Sequence, residues 1–216
     1  MPWPMVHFAI AAKVASLEPS PSFLLGSIAP DAIHMRDHAT RKEKGITHLV
    51  SEDKFPSIEI LKRECLSYLS LNINLDWKEY ILGYFAHIYA DIRWTDTLYA
   101  EFEREYYGDK NEIRKIYNQE VSQVEFNLLR SEDWAQKVLK NLQLAHVFAD
   151  TPFVTQNEVS QYRDVKIEWL LDDRNEPKFK NIYFKEEAVR KFILNTSNEL
   201  KELFDEWGIK YLEFKH

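Results

Sequence analysis

Apolar residues recur at three- and four-residue intervals through most of the chain, and the interruptions divide it into helices. Pro4 suits a first helical turn, and Met5, Phe8, Ala9 and Ala12 follow at helical spacing until Pro19-Ser20-Pro21 breaks the pattern, which predicts a helix over about 5–17. Between Leu24 and His38 the period lapses. Gly26 and Pro30 punctuate a predicted turn and loop in which Asp31 is available as an N-cap. A helix is predicted from Lys54 to about Leu71, and a longer one from Asp76 to about Tyr107, ended by Gly108-Asp109. On the longer helix Ile81, Phe85, Ile88 and Ile92 form one stripe. Tyr84, His87, Asp91 and Leu98 form the adjacent one, which puts ionisable groups on a surface that other helices would cover. Further helices are predicted over about 110–129 and 132–149, the latter closed by Pro152, and over 185–207, where Val189, Phe192, Ile193, Thr196, Leu200, Leu203, Phe204 and Trp207 hold the period. The region 156–184 stays open between a helix ending near Trp169 to Leu171 and two short extended segments around the solvated turn Asp172 to Pro177.

Composition sharpens this into a fold class. With 216 residues, 45% hydrophobic and 14% aromatic content, 5 glycines and no linker-like stretch, the chain reads as a single-domain, all-α multi-helix bundle. Its 28 basic and 35 acidic residues give a net charge of -7, which provides no general attraction for duplex nucleic acid. The single cysteine, Cys65, falls in the apolar series Ile58, Leu61, Cys65, Leu69. That series predicts a buried thiol, no intrachain disulfide and a reducing, cytoplasmic setting. The apolar start from Met1 to Ala12 has no leading Lys or Arg and is interrupted by His7, so it is read as part of the mature fold. No uncharged apolar stretch approaches the roughly 20 residues that cross a bilayer.

The candidate chemistry lies in histidines and aspartates. His87 and Asp91 stand four apart on a predicted helix, so their side chains point the same way and can grip one ion. His146 and Asp150 repeat the spacing, each pair again with an alanine before its histidine and before its aspartate. Either pair also suits a simple hydrogen-bonded couple. Asp31 and His48 lie in predicted loops, where a cap and a solvated imidazole are the bland readings. His7 sits in an apolar helix start, either as a core histidine bonded to a carbonyl or as a ligand. His34 and His38 could add ligands, although a mobile polar loop accounts for them more simply.

In order along the chain, Trp3 and His7, Gly26-Ser27-Ile28-Ala29-Pro30-Asp31, Thr47-His48, and Gly83-Tyr84-Phe85-Ala86-His87-Ile88-Tyr89-Ala90-Asp91 with Trp94 resemble the zinc-dependent phospholipase C family, in its small bacterial branch. Single-strand-specific fungal nucleases share that family's all-helical fold. The resemblance covers roughly the first hundred residues, and beyond them only His146 and Asp150 match. It implies two or three zinc ions held between helices. Asp31, His48 and His87 would hold one, Asp91 would bridge to a second, His7 would hold that second ion or a neighbour, and His146 with Asp150 would complete the remaining position. Asp31 could also orient the attacking water. The chain departs from the family pattern where Asp96 stands in place of a histidine after the bridging aspartate, and where Trp3 follows Met1-Pro2 although the family uses a terminal tryptophan.

Such a site suits phosphate esters, since paired cations activate water, neutralise the phosphoryl oxygens and stabilise the leaving oxygen. A mixed N/O ligand set favours zinc over magnesium. The expected function is therefore metal-dependent hydrolysis of a phosphate ester, with a small-molecule or lipid phosphodiester as substrate. The alternative is a non-catalytic helical module holding a structural metal or acting through a partner surface. An HD-type phosphohydrolase fits less well, because the chain has Asp37-His38 and lacks the His-Asp order.

Overall fold

Pro4 occupies the first turn of helix α1 (Pro4–Val14), where its missing N–H would have had no helical partner. The computed structural model to which this helix belongs describes residues 1–15, 19–148 and 152–209. Pro19-Ser20-Pro21, predicted as a breaker, also starts α2 (Pro21–Gly26): the Ser20 hydroxyl accepts the Phe23 N–H at 3.1 Å, and Pro21 follows it. A 3-10 helix (Ala29–Met35) comes next, so the predicted turn and loop at 24–38 is largely helical, and Asp31 lies within that segment instead of capping one.

Helix α3 (Arg41–Thr47) was not predicted. A capping box of Thr40 and Glu43 starts it. After α4 (Ile58–Ser70), the long helix α5 (Leu75–Trp94) runs through a π segment (Thr95–Tyr99) into α6 (Ala100–Glu105), within the predicted 76–107 helix. Then follow α7 (Ile113–Ser131), α8 (Ala135–Gln143), α9 (Gln156–Leu171) and α10 (Glu186–Glu206). Helix α9 resolves the open region in favour of a helix. Among the described residues no strand forms beyond an isolated bridge between Ser51 and Lys54, which makes the fold the expected all-α bundle. No described helix is long and apolar enough to cross a membrane.

Helix α5 is the axis of the packing. From Glu79 to Asp91 every residue is buried, because α1, α2, α4, α10 and the 3-10 helix all lie against it. Two glycines let α2 approach closely: a Cβ at Gly83 would fall 2.1 Å from the Phe23 carbonyl oxygen, and one at Gly26 would fall 2.0 Å from the Tyr80 carbonyl oxygen. Around the π segment, aromatic residues fill the core. Trp94 stacks on Phe184 with ring centres 5.3 Å apart, and Phe192 meets the same indole edge-on at 5.1 Å. Phe184 is held there by Glu120, whose carboxylate accepts backbone N–H groups of Ile182 at 2.9 Å and of Phe184 at 3.2 Å. Cys65 is buried beside Leu61, as expected, although Ile58 of the same series is exposed.

Helix α1 is anchored by a second buried carboxylate. Glu125 of α7 accepts the Met5 N–H at 2.8 Å, meeting one of the unpaired donors at the helix start. Burial raises the Glu125 carboxyl to about 8, against the lowering effect of the Met5 N–H. The folded chain thus keeps a proton that the unfolded chain releases near pH 4.5. The stabilisation is complete below that pH and is lost as pH rises to about 8, a change on the order of a few kcal/mol. Glu125→Gln keeps the acceptor and removes the titration. Thermal unfolding at pH 5.5 and 8.5 should show the wild type losing stability across the interval and the variant much less; equal slopes would count against the assignment.

Candidate metal centre

Four elements converge on one buried point: α1 brings His7, the 3-10 helix Asp31, the end of α3 His48, and α5 both His87 and Asp91. His48 is delivered by a Schellman ending of α3, with the Val50 N–H on the Gly45 carbonyl at 2.8 Å and the Leu49 N–H on Ile46 at 3.0 Å. The left-handed position this requires is filled by Leu49, at φ 56°, where glycine is usual. All five side chains are buried, Asp31 the least at 8% exposed.

Second contacts fix the imidazole orientations. His87 Nδ1 lies 2.8 Å from the Ser27 carbonyl oxygen, and His48 Nδ1 lies 3.1 Å from the Lys44 carbonyl oxygen. A carbonyl only accepts, so both Nδ1 atoms carry hydrogen and each neutral ring presents its Nε2 lone pair inward. There the lone pairs find one another and carboxylates. His48 Nε2 is 3.2 Å from His87 Nε2, 3.2 Å from Asp91 Oδ2 and 3.5 Å from Asp31 Oδ1; His87 Nε2 is 3.4 Å from Asp91 Oδ2. On the other side His7 Nε2 is 3.6 Å from Asp91 Oδ1, and its ring stacks on His87 with centres 3.9 Å apart.

His7 Nε2, Asp31 Oδ1 and both Asp91 oxygens are buried with no hydrogen-bond partner. Four converging orphan acceptors are costly unless something positive sits between them. The spacing fits a metal: a tetrahedral zinc with bonds of about 2.1 Å has ligand-to-ligand edges of about 3.4 Å. Two triads, His7 with His87 and Asp91, and Asp31 with His48 and His87, each place one ligand atom per residue within 4.8 Å of the others. The described residues thus contain a His/Asp group that could hold a metal ion.

With protons in place of a cation, the cluster titrates far from ordinary values. Burial lowers the His48 imidazole, but Asp31 and Asp91 outweigh it and raise it to about 10, while burial lowers His7 to about 3. His48 faces both carboxylates and becomes the proton's resting place. Burial alone would raise Asp31 and Asp91, yet the surrounding histidines hold both below the usual carboxylate range.

The cluster reaches solvent through Asp31. That residue lines a cleft of about 570 Å³, walled also by Trp3, Tyr99, Tyr117 and Tyr162. The Tyr162 hydroxyl donates to Asp31 Oδ2 at 3.3 Å, which leaves Oδ1 for the cluster. Neither Tyr162 nor Glu125 was singled out in the sequence. A carboxylate inside the apolar run of α7 was a usable signal for Glu125, whereas Tyr162 carries none, because its role depends on how α9 docks against the 3-10 helix.

Of the remaining candidates, His34 sits at the cleft rim, half exposed and 3.9 Å from Asp31 Oδ1. His38 is exposed. The structure does not bring His146 to the cluster. Helix α8 stops at Gln143 and not near 149, so His146 is an exposed residue after the helix, packed edge-on against Phe148. Its partner Asp150 lies outside the described residues. Asp96, within the π segment, is also exposed and is not among the grouped ligands. Of the aromatic residues, Trp94, Phe102 and Phe184 lie in the core, the partly buried Trp3 and Tyr99 wall the cleft, and the buried Tyr162 does both. Comparisons of this chain with known protein families, with curated proteins and with solved structures gave no match.

Proposed function

We propose that the chain is a zinc-dependent hydrolase of phosphate esters, with a phosphodiester, such as a phospholipid, as the substrate class. The observation that supports this is the convergence of side-chain atoms from His7, Asp31, His48, His87 and Asp91 on one buried point, four of them oxygens or nitrogens of His7, Asp31 and Asp91 without a hydrogen-bond partner, behind an open cleft that Asp31 lines. Asp31, His48 and His87 would hold one ion, and His7, His87 and Asp91 are grouped where a second could be held. Zinc at such a position supplies Lewis acidity toward phosphoryl oxygen and lowers the pKa of water.

The chain's own groups do the rest. The Ser27 and Lys44 carbonyls keep the His87 and His48 rings turned so that Nε2 faces inward. Tyr162 fixes the Asp31 carboxylate, which stands on the cleft wall and orients the attacking water toward the phosphorus. Burial of the ligand atoms behind Asp31 keeps bulk solvent from them. The resemblance to zinc-dependent phospholipases C agrees in reaction class and in the order of the ligands along the chain. The cytoplasm, which a lone buried cysteine suits, is where we place the protein.

Elemental analysis of the purified protein, with a bis-p-nitrophenyl phosphate assay on the same samples, tests the proposal. About two zinc ions per chain are expected, with turnover lost on chelation and restored by zinc. Protein that stays metal-free and inactive after zinc is supplied would leave a helical interaction module as the better reading.

A further inference from the structure

The chain carries a net charge of -7, yet the outer wall of the cleft is basic. Beyond Asp31 and His34, which belong to the cluster side, the charged side chains lining it are Arg114 from α7 and Lys166 from α9. Neither has an ion-pair partner among the described residues, although neighbouring cations do: Lys115 pairs with Glu112, and Arg163 with Asp164. Lys166 is instead held by rings. Its Nζ lies 5.4 Å from the centre of Trp3 and 5.2 Å from that of Tyr162, and the Tyr162 hydroxyl is the donor to Asp31. The ammonium is thereby kept one phenol ring away from the candidate metal cluster.

We propose that Arg114 and Lys166 form an anion subsite beside the metal centre, and that the preferred ligand is a phosphate ester whose alcohol portion carries a negative charge of its own. This rests on the phosphate-ester reading above. The cluster side would take the phosphoryl group, and a second anion on the leaving portion would meet two uncommitted cations against aromatic walls that weaken solvent screening. A cationic head group would find no counter-charge on that wall, because the one carboxylate lining the cleft, Asp31, is engaged with His48 and Tyr162.

The test is calorimetric titration of zinc-loaded protein with phosphoglycolate, whose tail is a carboxylate, and with phosphocholine, whose tail is a quaternary ammonium. The wild type is expected to bind phosphoglycolate about tenfold tighter or more, equivalent to about 1.4 kcal/mol. In the Arg114→Ala/Lys166→Ala double variant the preference should fall below about threefold, with phosphocholine binding unchanged. Arg114 is exposed and Lys166 partly so, which leaves the core intact, and an unchanged unfolding temperature verifies this. Equal affinities in the wild type overturn the subsite, and a preference that survives in the double variant overturns it in favour of direct chelation by the carboxylate. Zinc-loaded protein that binds neither compound removes the phosphate-ester reading and the subsite with it.

Discussion

Asp91→Asn is expected to abolish zinc-dependent stabilisation while leaving a folded chain. Asparagine matches aspartate in shape, and residue 91 is fully buried in the last turn of α5, so packing is retained. The variant loses charge at the one side chain whose two oxygens face the two halves of the cluster, Oδ2 toward His48 and His87 and Oδ1 toward His7. An ion bound at a thousand times its dissociation constant raises stability by about 4 kcal/mol, so wild-type protein should melt several degrees higher with zinc. The variant should show almost no shift, and its diester hydrolysis should fall by about a thousandfold or more. Thermal scans with and without zinc, beside the hydrolysis assay, decide the matter. Equal zinc stabilisation of both proteins would place the metal elsewhere.

Gly83→Ala is expected to be among the most damaging single substitutions in the core, against what helix propensity alone suggests. Alanine in a helix interior is intrinsically favoured over glycine by about 1 kcal/mol. Here the added methyl would fall 2.1 Å from the Phe23 carbonyl oxygen and 2.8 Å from the Ser27 amide nitrogen, both backbone atoms of the α2 region that cannot swing aside. Overpacking of this kind costs on the order of 3 kcal/mol, so sterics wins and the unfolding temperature should drop by several degrees. Zinc affinity should fall as well, by about 10- to 100-fold, since pushing α2 away lengthens the contact between the Ser27 carbonyl and His87 Nδ1. Gly45→Ala is the control. Its methyl would meet only Val50, at 3.4 Å or more, which is ordinary van der Waals contact, and the change should be near neutral. A Gly83→Ala protein as stable as wild type would refute the close-approach account.

What the sequence disclosed follows from how local each signal is. His87 and Asp91 were legible because their geometry depends on one helix and a spacing of four. The same spacing misled at His146, because the amphipathic pattern that builds α8, with Ala135, Val138, Leu139 and Leu142 buried, ends before the histidine is reached. Helix α3 carries its start signal in Thr40 and Glu43 but buries only Thr47, so no hydrophobic period announces it. His7, Asp31 and His48 each had an ordinary explanation alone, and only their order along the chain, set against a known family, connected them. Arg114, Lys166 and Tyr162 left no trace, since their meeting in one cleft is a product of how α7 and α9 dock.

The five converging side chains come from four segments spread over residues 7 to 91. An ion held by them would act as a cross-link, closing loops of tens of residues and withdrawing conformational freedom from the unfolded chain as well as filling the centre of the folded one. The first ninety or so residues would then depend on the metal directly, whereas α10, which contributes no side chain to the cluster, would feel its loss only through the helices it packs on, α1 and α5. Loss of the ion should therefore loosen the chain unevenly, with amide exchange accelerating around His7, Asp31 and His48 before the carboxy-terminal helix responds.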